Sequence, residues 1–471
     1  MSAPEKYDVV VLGGGTAGKV IAWTMAKEGK RTAVIDRKYV GGSCPNIACL
    51  PSKNVIYSAK VASLVGRHTE FGIKTGPVAI DMARVYERKR EMVDGIVKVH
   101  LDRYQAMGDE LIFGEGSFVG PRIIRVALRD GAERTLTADH VFLDVGTHAT
   151  VPDTPGLRQV APLTHVEALD LQRSPEHLIV MGGGYVGLEL GQAMRRLGSR
   201  VTLITRDSQL ASSEDPDVSQ AVLRLFQDEG IEVLLGTEVL LVTGRSGSHV
   251  DLQVRCPSGD RTVHGSDILV SLGRTPNTTG IGVDKAGIEV TEKGHIRVND
   301  RLETTVPNVW AMGECAGSPY FTHVAEDDAS IILANLNGGH RTTADRLVPS
   351  CVFIDPELAR VGLNESQAKA RGVAYRVASA PFDLSWRAWT ISERRGFMKT
   401  LIDTHSDRII GFTAFGAEAG ELMSTVQLAM LAGLPCTSLR DAMFAHPTMT
   451  EGLKALFMRV PQRTVDHVGQ S

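Results

Sequence analysis

The stretch YDVVVLGGGTAG, residues 7–18, joins a short apolar run to the glycine spacing Gly13-x-Gly15-x-x-Gly18. The run predicts a buried parallel strand. An amphipathic segment follows, and a second apolar run leads to Asp36. Strand, glycine turn, helix, strand and acid in this order are typical of a dinucleotide site, where the glycines admit a pyrophosphate and the acid holds a ribose. We therefore expect the three glycines and Asp36 to bind a dinucleotide.

The same pattern recurs in the middle of the chain. The apolar strand 177–181 runs into Gly182-x-Gly184-x-x-Gly187, which is followed by a predicted helix and the strand 201–204. A single glycine motif is weak evidence, but two with their flanking elements are specific. Two fingerprints predict two dinucleotide sites, which suggests a bound flavin and a mobile nicotinamide.

Two cysteines lie close together in GGSCPNIACLPSK, residues 41–53. Cys44 and Cys49 could be buried thiols, half of a metal site, or a redox-active disulfide. Residues five apart in a regular helix are separated by about 7.5 Å along its axis, whereas a disulfide needs Cα atoms within about 7 Å. If the pair bridges, the segment is not a continuous helix. A cysteine at a helix N-terminus also has its thiolate favoured.

Composition excludes several classes of function. The chain has 471 residues, enough for about three domains, and a formal net charge of −4. Its basic residues are scattered, so we expect no nucleic acid and no membrane surface as partner. It has no apolar run of about 18 residues, and from the residues that precede the first strand we expect no signal peptide. Six cysteines in so long a chain are not a disulfide framework, and we expect a cytoplasmic protein without a metal site.

These motifs, taken with three more, define a resemblance that runs essentially end to end. The further motifs are LGRTPN at 272–277, WAMGE at 310–314 and AHPTMTE at 445–451. The chain resembles the class I pyridine nucleotide-disulfide oxidoreductases of the glutathione reductase, dihydrolipoamide dehydrogenase and mercuric reductase type. The motifs are specific for this superfamily and much less so for the substrate.

The resemblance implies an α/β fold with two Rossmann-like dinucleotide-binding domains, for FAD and NAD(P), and a C-terminal α+β dimerisation domain. By position, residues 1–150 and 275–346 form the FAD-binding domain and residues 151–274 the NAD(P)-binding domain. Residues 347–471 form the interface domain of a homodimer.

The resemblance also implies the catalytic groups. Cys44 is the interchange thiol that meets substrate, and Cys49 is the thiol nearest the flavin. His446 with Glu451 is the acid–base dyad, which acts in the partner subunit's site. General chemistry agrees, because a thiol must lose a proton to attack and a histidine can carry that proton.

Further residues follow from the resemblance by position. Lys53 would pair with Glu189 close to the flavin, and Tyr185 would be the aromatic gate over the nicotinamide pocket. The remaining expected cofactor contacts are Gly42, Gly146, Gly273, Arg274 and Glu314. Among these, Glu314 replaces the usual aspartate, and nearby Asp144 replaces the usual alanine.

The second fingerprint lacks its acid. Thr205 stands where NAD-specific members carry a carboxylate, and Arg206 follows. An arginine favours the 2′-phosphate of NADPH, whereas a carboxylate repels it. We predict NADPH as the donor, with NADH as the alternative; Ala211 and Ser212 occupy the place of a second arginine in glutathione reductase-like members.

We predict an enzyme that passes electrons from NADPH through FAD to Cys44–Cys49 and on to a small disulfide or a related electrophile. Local similarity favours the mercuric reductase branch, although the C-terminal tail lacks the cysteine pair that would pass a metal. The alternatives are an NAD-dependent dihydrolipoamide dehydrogenase, a flavin-level reductase of metal ions or quinones, and a non-catalytic redox sensor.

Overall fold

The computed structural model describes residues 3–344 and 346–462; residues 463–471, which fall in the third predicted domain, lie outside the described residues. The strands in chain order are β1 (Glu5–Leu12), β2 (Thr32–Asp36), β3 (Glu110–Gly120), β4 (Ile123–Leu128), β5 (Glu133–Leu143), β6 (Thr147–Ala149), β7 (His177–Met181), β8 (Arg200–Ile204), β9 (Glu232–Leu234), β10 (Glu238–Arg245), β11 (His249–Cys256), β12 (Gly259–Gly265), β13 (Asp267–Val270), β14 (Arg274–Pro276), β15 (Val309–Ala311), β16 (Ser350–Val352), β17 (Glu357–Gly362), β18 (Tyr375–Pro381), β19 (Phe397–Asp403) and β20 (Ile409–Gly416).

The α-helices in chain order are α1 (Thr16–Lys27), α2 (Ser43–Asn46), α3 (Cys49–Gly66), α4 (Met82–Met107), α5 (His165–Leu169), α6 (Tyr185–Arg196), α7 (Pro216–Asp228), α8 (Val283–Ala286), α9 (Thr322–Leu336), α10 (Glu365–Ala370), α11 (Trp386–Thr390), α12 (Ala419–Leu431), α13 (Cys436–Asp441) and α14 (Gly452–Phe457). Within the described residues, no helix has the length and apolar character needed to cross a membrane.

The chain divides into two compact units. The first comprises residues 1–58, 75–174 and 269–346, and it holds the first glycine fingerprint and both motif cysteines. The second comprises residues 59–74, 175–268 and 347–471, and it holds the second fingerprint together with the C-terminal region. The three-domain boundaries given above stay a prediction.

A parallel sheet forms the centre of the first unit. β1 lies between β2 and β5, while β3 and β15 extend the sheet on either side with parallel pairing. Val10 and Leu12 point into one buried cluster, and Val9 and Val11 into the other. Both faces of β1 are therefore covered, as its unbroken apolar run predicted.

The second unit contains another sheet with parallel strands and, at the C-terminal end of the chain, an antiparallel sheet. β7, β8 and β9 pair in parallel within the sheet β13-β7-β8-β9. The C-terminal strands form the order β16-β17-β20-β19-β18, with antiparallel pairing. Its apolar face packs with residues of α12 and α14 in one buried cluster. The two α/β sheets and the C-terminal α+β region confirm the predicted fold class.

Buried charge fixes the loop that follows β8 within the second unit. Lys399 on β19 is almost fully buried and donates to Asp215 at 2.9 Å. Asn364 Nδ2 donates to the carbonyl of Ser213 at 3.0 Å. These contacts hold the segment between β8 and α7 against the C-terminal sheet, next to the second glycine turn.

Candidate active site

The first glycine turn leaves helix N–H groups for a ligand. α1 begins at Thr16, and the residue before it, Gly15, has no side chain that could cap the helix. Gly13 has φ +98°, and a Cβ there would lie 2.3 Å from the carbonyl oxygen of Asp144. N–H groups at a helix N-terminus suit phosphate oxygens, although the N–H of Gly18 in this first turn already donates to Asp144. The turn therefore has the form that a pyrophosphate site needs, and the contact with the glycines stays a prediction.

Asp36 organises the end of β2. It is 8 % exposed, and its carboxylate accepts from the backbone N–H groups of Gly14 at 3.0 Å, Lys38 at 2.8 Å and Tyr39 at 2.9 Å. Burial raises the pKa of Asp36, and these backbone bonds oppose that rise. The acid lies beside the glycine turn, where the fingerprint predicts a ribose contact.

Asp144 is a second acid at the turn, and we predicted no role for it from the sequence. It follows β5, is about nine-tenths buried, and accepts from the N–H of Gly18 at 2.7 Å. Burial raises the pKa of Asp144 to about 8, and the carboxylates of Asp328 and Glu314 add to the rise. The carboxyl is therefore largely neutral at pH 7, a form that repels a neighbouring pyrophosphate less.

Asp144→Asn is expected to reduce the pH dependence of stability. Between pH of about 4 and 8 the native state keeps a proton that the unfolded chain has released, so the stability contributed by this carboxyl falls as pH rises, by up to about 1.4 kcal/mol per pH unit. Urea unfolding of the holoenzyme at several pH values measures this effect. The free energy of unfolding of the variant should rise relative to that of the wild type as the pH increases across this window. Asp139→Asn, which changes an exposed carboxylate, is the control. The prediction is contradicted if Asp144→Asn and the wild type differ in free energy of unfolding by the same amount at pH 5 and at pH 8.

The cysteine segment is divided between two helices. Cys44 lies in the single turn α2, and Cys49 is the first residue of α3. The chain breaks between them at Ile47, with φ −140° and ψ 0°. This agrees with the expectation that a bridging pair cannot span a continuous helix. It also places Cys49 at the N-terminus of an 18-residue helix, where a thiolate is favoured.

The two thiols form one hydrogen-bonded group. The hydrogen bond between Cys44 and Cys49 raises the pKa of Cys44, and burial raises it further; the hydroxyl of Thr322 and the charge of Lys19 oppose the rise. Thr322 Oγ1 lies 3.3 Å from the Sγ of Cys49. Thr322 is 273 positions from Cys49, so no local motif could have revealed it.

The cysteine loop packs directly on the glycine turn. Gly42 has φ +82°, and a Cβ there would lie 2.6 Å from the Cα of Gly15. Only glycine permits this approach. The loop that carries the thiol pair is thereby held against the predicted pyrophosphate site.

The other predicted flavin contacts form a polar cluster. Glu314 accepts from Arg274 Nε at 3.1 Å and from the hydroxyl of Thr147, and Arg274 also donates to Thr147 Oγ1 at 2.6 Å. Gly146 has φ +63° and Gly273 φ +106°, and a Cβ would meet nothing within 4 Å at either. The longer acid Glu314 is thus accommodated by an arginine and a threonine.

The second glycine turn repeats the arrangement of the first. Gly182 has φ +120°, and α6 begins after Gly184 with no side-chain cap. Gly187 is buried within α6. The first-turn N–H groups of α6 are therefore placed to meet the phosphates of a second dinucleotide.

Tyr185 is tied down at this turn. Its hydroxyl donates to Glu214 Oε1 at 2.7 Å, and Glu214 pairs with Arg360 at 3.0 Å. Burial, with the charge of Glu214, raises the pKa of Tyr185 to about 12. Any gating by this ring requires the Glu214 contact to break, and the gate stays a prediction.

The residues expected to choose the nicotinamide cofactor follow β8. Thr205 is 5 % exposed and its Oγ1 accepts from the N–H of Asp207 at 3.2 Å. Arg206 is exposed. An exposed arginine immediately beyond the carboxyl edge of the strand is well placed for a phosphate group.

The acid of the predicted Lys53–Glu189 pair is buried in the second unit. Glu189 on α6 is 8 % exposed, and its Oε1 accepts from the N–H of Phe353 at 2.9 Å. This contact fixes the carboxylate within its own unit. Lys53 belongs to α3, and the pairing itself stays a prediction.

His446 and Glu451, the pair that the family resemblance implies, lie within hydrogen-bond distance of each other. His446 Nδ1 lies 2.9 Å from Glu451 Oε2. The histidine side chain is 68 % exposed, whereas that of Glu451 is 15 % exposed. The carboxylate orients the ring and holds Nδ1, so a proton-transfer role would fall to Nε2.

The site combines two glycine turns with a thiol pair packed on the first of them and a His–Glu pair. This combination is typical of a flavin-dependent disulfide oxidoreductase. Family models agree: residues 7–329 match pyridine nucleotide-disulphide oxidoreductase, and residues 348–457 match its dimerisation domain. The chain belongs to the pyridine nucleotide-disulphide oxidoreductases, as the sequence resemblance predicted. It is an FAD-dependent oxidoreductase with NAD(P)H as the electron donor.

Curated relatives are similar over almost the whole chain. A probable pyridine nucleotide-disulfide oxidoreductase, RclA of Escherichia coli K12, is 33 % identical over 97 % of this chain and 100 % of its own length. A mercuric reductase of Streptomyces lividans is 32 % identical over 96 % of this chain and 96 % of its own length. The solved structure of RclA, titled an HOCl-induced flavoprotein disulfide reductase, superposes with a TM-score of 0.88 at 31 % identity, covering 97 % of this chain and 100 % of that one.

Proposed function

We propose that the enzyme uses NADPH to reduce a small disulfide or a related electrophile at the Cys44–Cys49 pair, on the mercuric reductase-like branch of its family. The observation that carries this is the packing of the thiol loop on the first glycine turn, where Gly42 meets Gly15. When bound, FAD relays two electrons from the nicotinamide to the cysteine pair. A reducing cytoplasm, where NADPH and free thiols coexist, is the compartment this activity suits.

Cys44 is assigned as the attacking thiol. Its thiolate attacks one sulfur of the substrate disulfide, forms a mixed disulfide, and releases the first product thiolate, which takes a proton. Cys49 then attacks the sulfur of Cys44, restores the Cys44–Cys49 bond and releases the second thiol. Reduction of the restored pair by one NADPH closes the cycle, so that one NADPH and one proton convert one disulfide into two thiols.

The raised pKa of Cys44 creates a requirement for a base. The hydrogen bond with Cys49 and burial raise the pKa of Cys44 and so favour its protonated form. We assign that base to His446 of a second copy in a homodimer. The exposure of the His446 side chain supports this assignment, because the ring is available to another chain.

The dimerisation region also presents apolar surface for a second copy. Leu428 and Leu431 on α12 are 68 % and 64 % exposed, and Met443, just before the dyad, is 97 % exposed. Apolar side chains this exposed are typical of a surface that a partner covers. Their position close in sequence to His446 links the interface to the assigned base.

Arg206→Ala is expected to raise KM for NADPH by about tenfold to a hundredfold, because a charged hydrogen bond contributes about 1.5–3 kcal/mol. KM for NADH should change little, since NADH has no 2′-phosphate. Initial rates with both donors measure the effect, and Arg224→Ala, an exposed arginine on α7, is the matched control. An equal loss with NADPH and NADH, or a wild-type preference for NADH, refutes the role of Arg206.

A turnover screen tests the substrate class directly. The purified holoenzyme is supplied with NADPH and, separately, with small disulfides, metal ions and quinones. Rapid turnover of a disulfide or a thiophilic metal ion that is lost on blocking the thiols supports the proposal. Turnover only with quinones, unchanged after thiol alkylation, would instead support a flavin-level reductase.

A further inference from the structure

A cluster of two histidines and an aspartate lies on the antiparallel sheet β10–β12 of the second unit. His249 and Asp251 are two residues apart on β11, so both side chains lie on one face of the strand. His264 on β12 is the direct strand partner of Asp251. The sheet register therefore places all three side chains side by side.

The three groups are close enough to share one ion. His249 Nε2 lies 2.8 Å and His264 Nδ1 2.5 Å from the same atom, Asp251 Oδ1. One ligand atom of each residue lies within 4.8 Å of the others. Tetrahedral zinc bonds of 2.0–2.1 Å place ligand atoms about 3.4 Å apart. Small side-chain rotations would therefore open the cluster around a metal.

The charge and exposure of the cluster suit a cation. Asp251 supplies a carboxylate oxygen that both imidazoles contact, and a carboxylate attracts a cation. The two histidine side chains are 62 % and 64 % exposed, which leaves room for water to complete the coordination. On β10 the partners of Asp251 and His249 are Thr243 and Arg245, and Arg245 is exposed, so its long side chain can turn into solvent.

We propose that His249, Asp251 and His264 form a surface site for a borderline divalent cation, Zn²⁺ or Cu²⁺. Two imidazoles and a carboxylate are ligands that both ions accept. The ion would clamp β11 to β12 and is separate from the thiol chemistry proposed above. The sequence predicted no metal site because the third ligand comes from the neighbouring strand, 13 residues from Asp251.

Zinc titration of the holoenzyme tests the site. Calorimetry is done on a Cys44→Ser/Cys49→Ser background, so that the motif thiols cannot take up the ion. We expect one Zn²⁺ per chain, and a loss of affinity of about tenfold or more on either His249→Ala or His264→Ala. Gln253→Ala, which removes an exposed side chain two residues further along β11, is the matched control and should bind as the background does.

Cu²⁺ supplies a second readout that does not depend on affinity. One equivalent bound to the background protein should give an electron paramagnetic resonance spectrum with hyperfine coupling from two imidazole nitrogens, reduced to one by His264→Ala. The proposal is overturned if the background protein binds no zinc, if His249→Ala/His264→Ala binds as tightly as the background, or if Gln253→Ala weakens binding equally.

Discussion

Cys44→Ser is expected to lower turnover with a disulfide substrate by about four orders of magnitude or more, since it removes the attacking atom of the reaction. FAD binding should survive, because the glycine turn, Asp36 and Asp144 are untouched. Cys49 keeps its place at the start of α3. The variant should therefore show a long-wavelength absorbance band from the Cys49 thiolate beside the flavin, which the oxidised wild type lacks.

Steady-state assays with NADPH and the best disulfide from the screen, together with visible spectra, check both halves of this prediction. Cys256→Ser removes a partly buried cysteine outside the motif and should leave turnover unchanged. Full disulfide-reductase activity in Cys44→Ser would show that the pair is not the reacting group. Such a result would favour the flavin-level or sensor alternatives.

His446→Gln is expected to lower kcat by about 10²–10⁴-fold, the usual effect of losing a positioned acid–base group. The raised pKa of Cys44 makes the effect large, because the thiol then loses its proton without the base assigned to it. His405→Gln, an exposed histidine elsewhere in the second unit, is the control. Glu451→Gln should cost less than His446→Gln, since it disturbs the ring's orientation without removing the ring.

Mixed dimers test where His446 acts. If it serves the partner's site, a dimer of one Cys44→Ser chain and one His446→Gln chain has one intact site and one doubly defective site. Refolding or co-expressing the two inactive variants in equal amounts should then restore about a quarter of wild-type activity, because half of the dimers are mixed and each has one working site of two. No recovery in mixed dimers would place His446 in its own subunit's site, or outside the reaction.

The main elements around the two glycine turns were predictable because their signals are local. The apolar run 7–12, the glycine spacing and the second run to Asp36 predicted β1, the turn, α1 and β2. The cysteine spacing predicted that the segment is not a regular helix if the pair bridges, and α2 and α3 are separate helices. His446 and Glu451 are five positions apart and meet in one turn.

Other parts of the site were beyond any local pattern. Thr322 reaches the thiol pair from the start of α9, and Asp144 reaches Gly18 across 126 positions. The sequence showed Asp144 as a departure from alanine, but its pKa of about 8 comes from burial in the folded chain and from the neighbouring carboxylates. Tyr185 likewise donates a hydrogen bond to Glu214, which lies in the loop between β8 and α7 that packs against the C-terminal sheet.

The family, the fold class and the cofactor pair follow from local signals in the chain, because periodicity, glycine spacing and short motifs act over a few residues. Tertiary structure alone decided which distant side chains surround those motifs: Asp144 at the first turn, Thr322 at the thiols, and His264 opposite Asp251. Strand register and burial set these contacts, and neither can be predicted from a single segment of the sequence. Protonation states and the candidate metal site follow from those contacts.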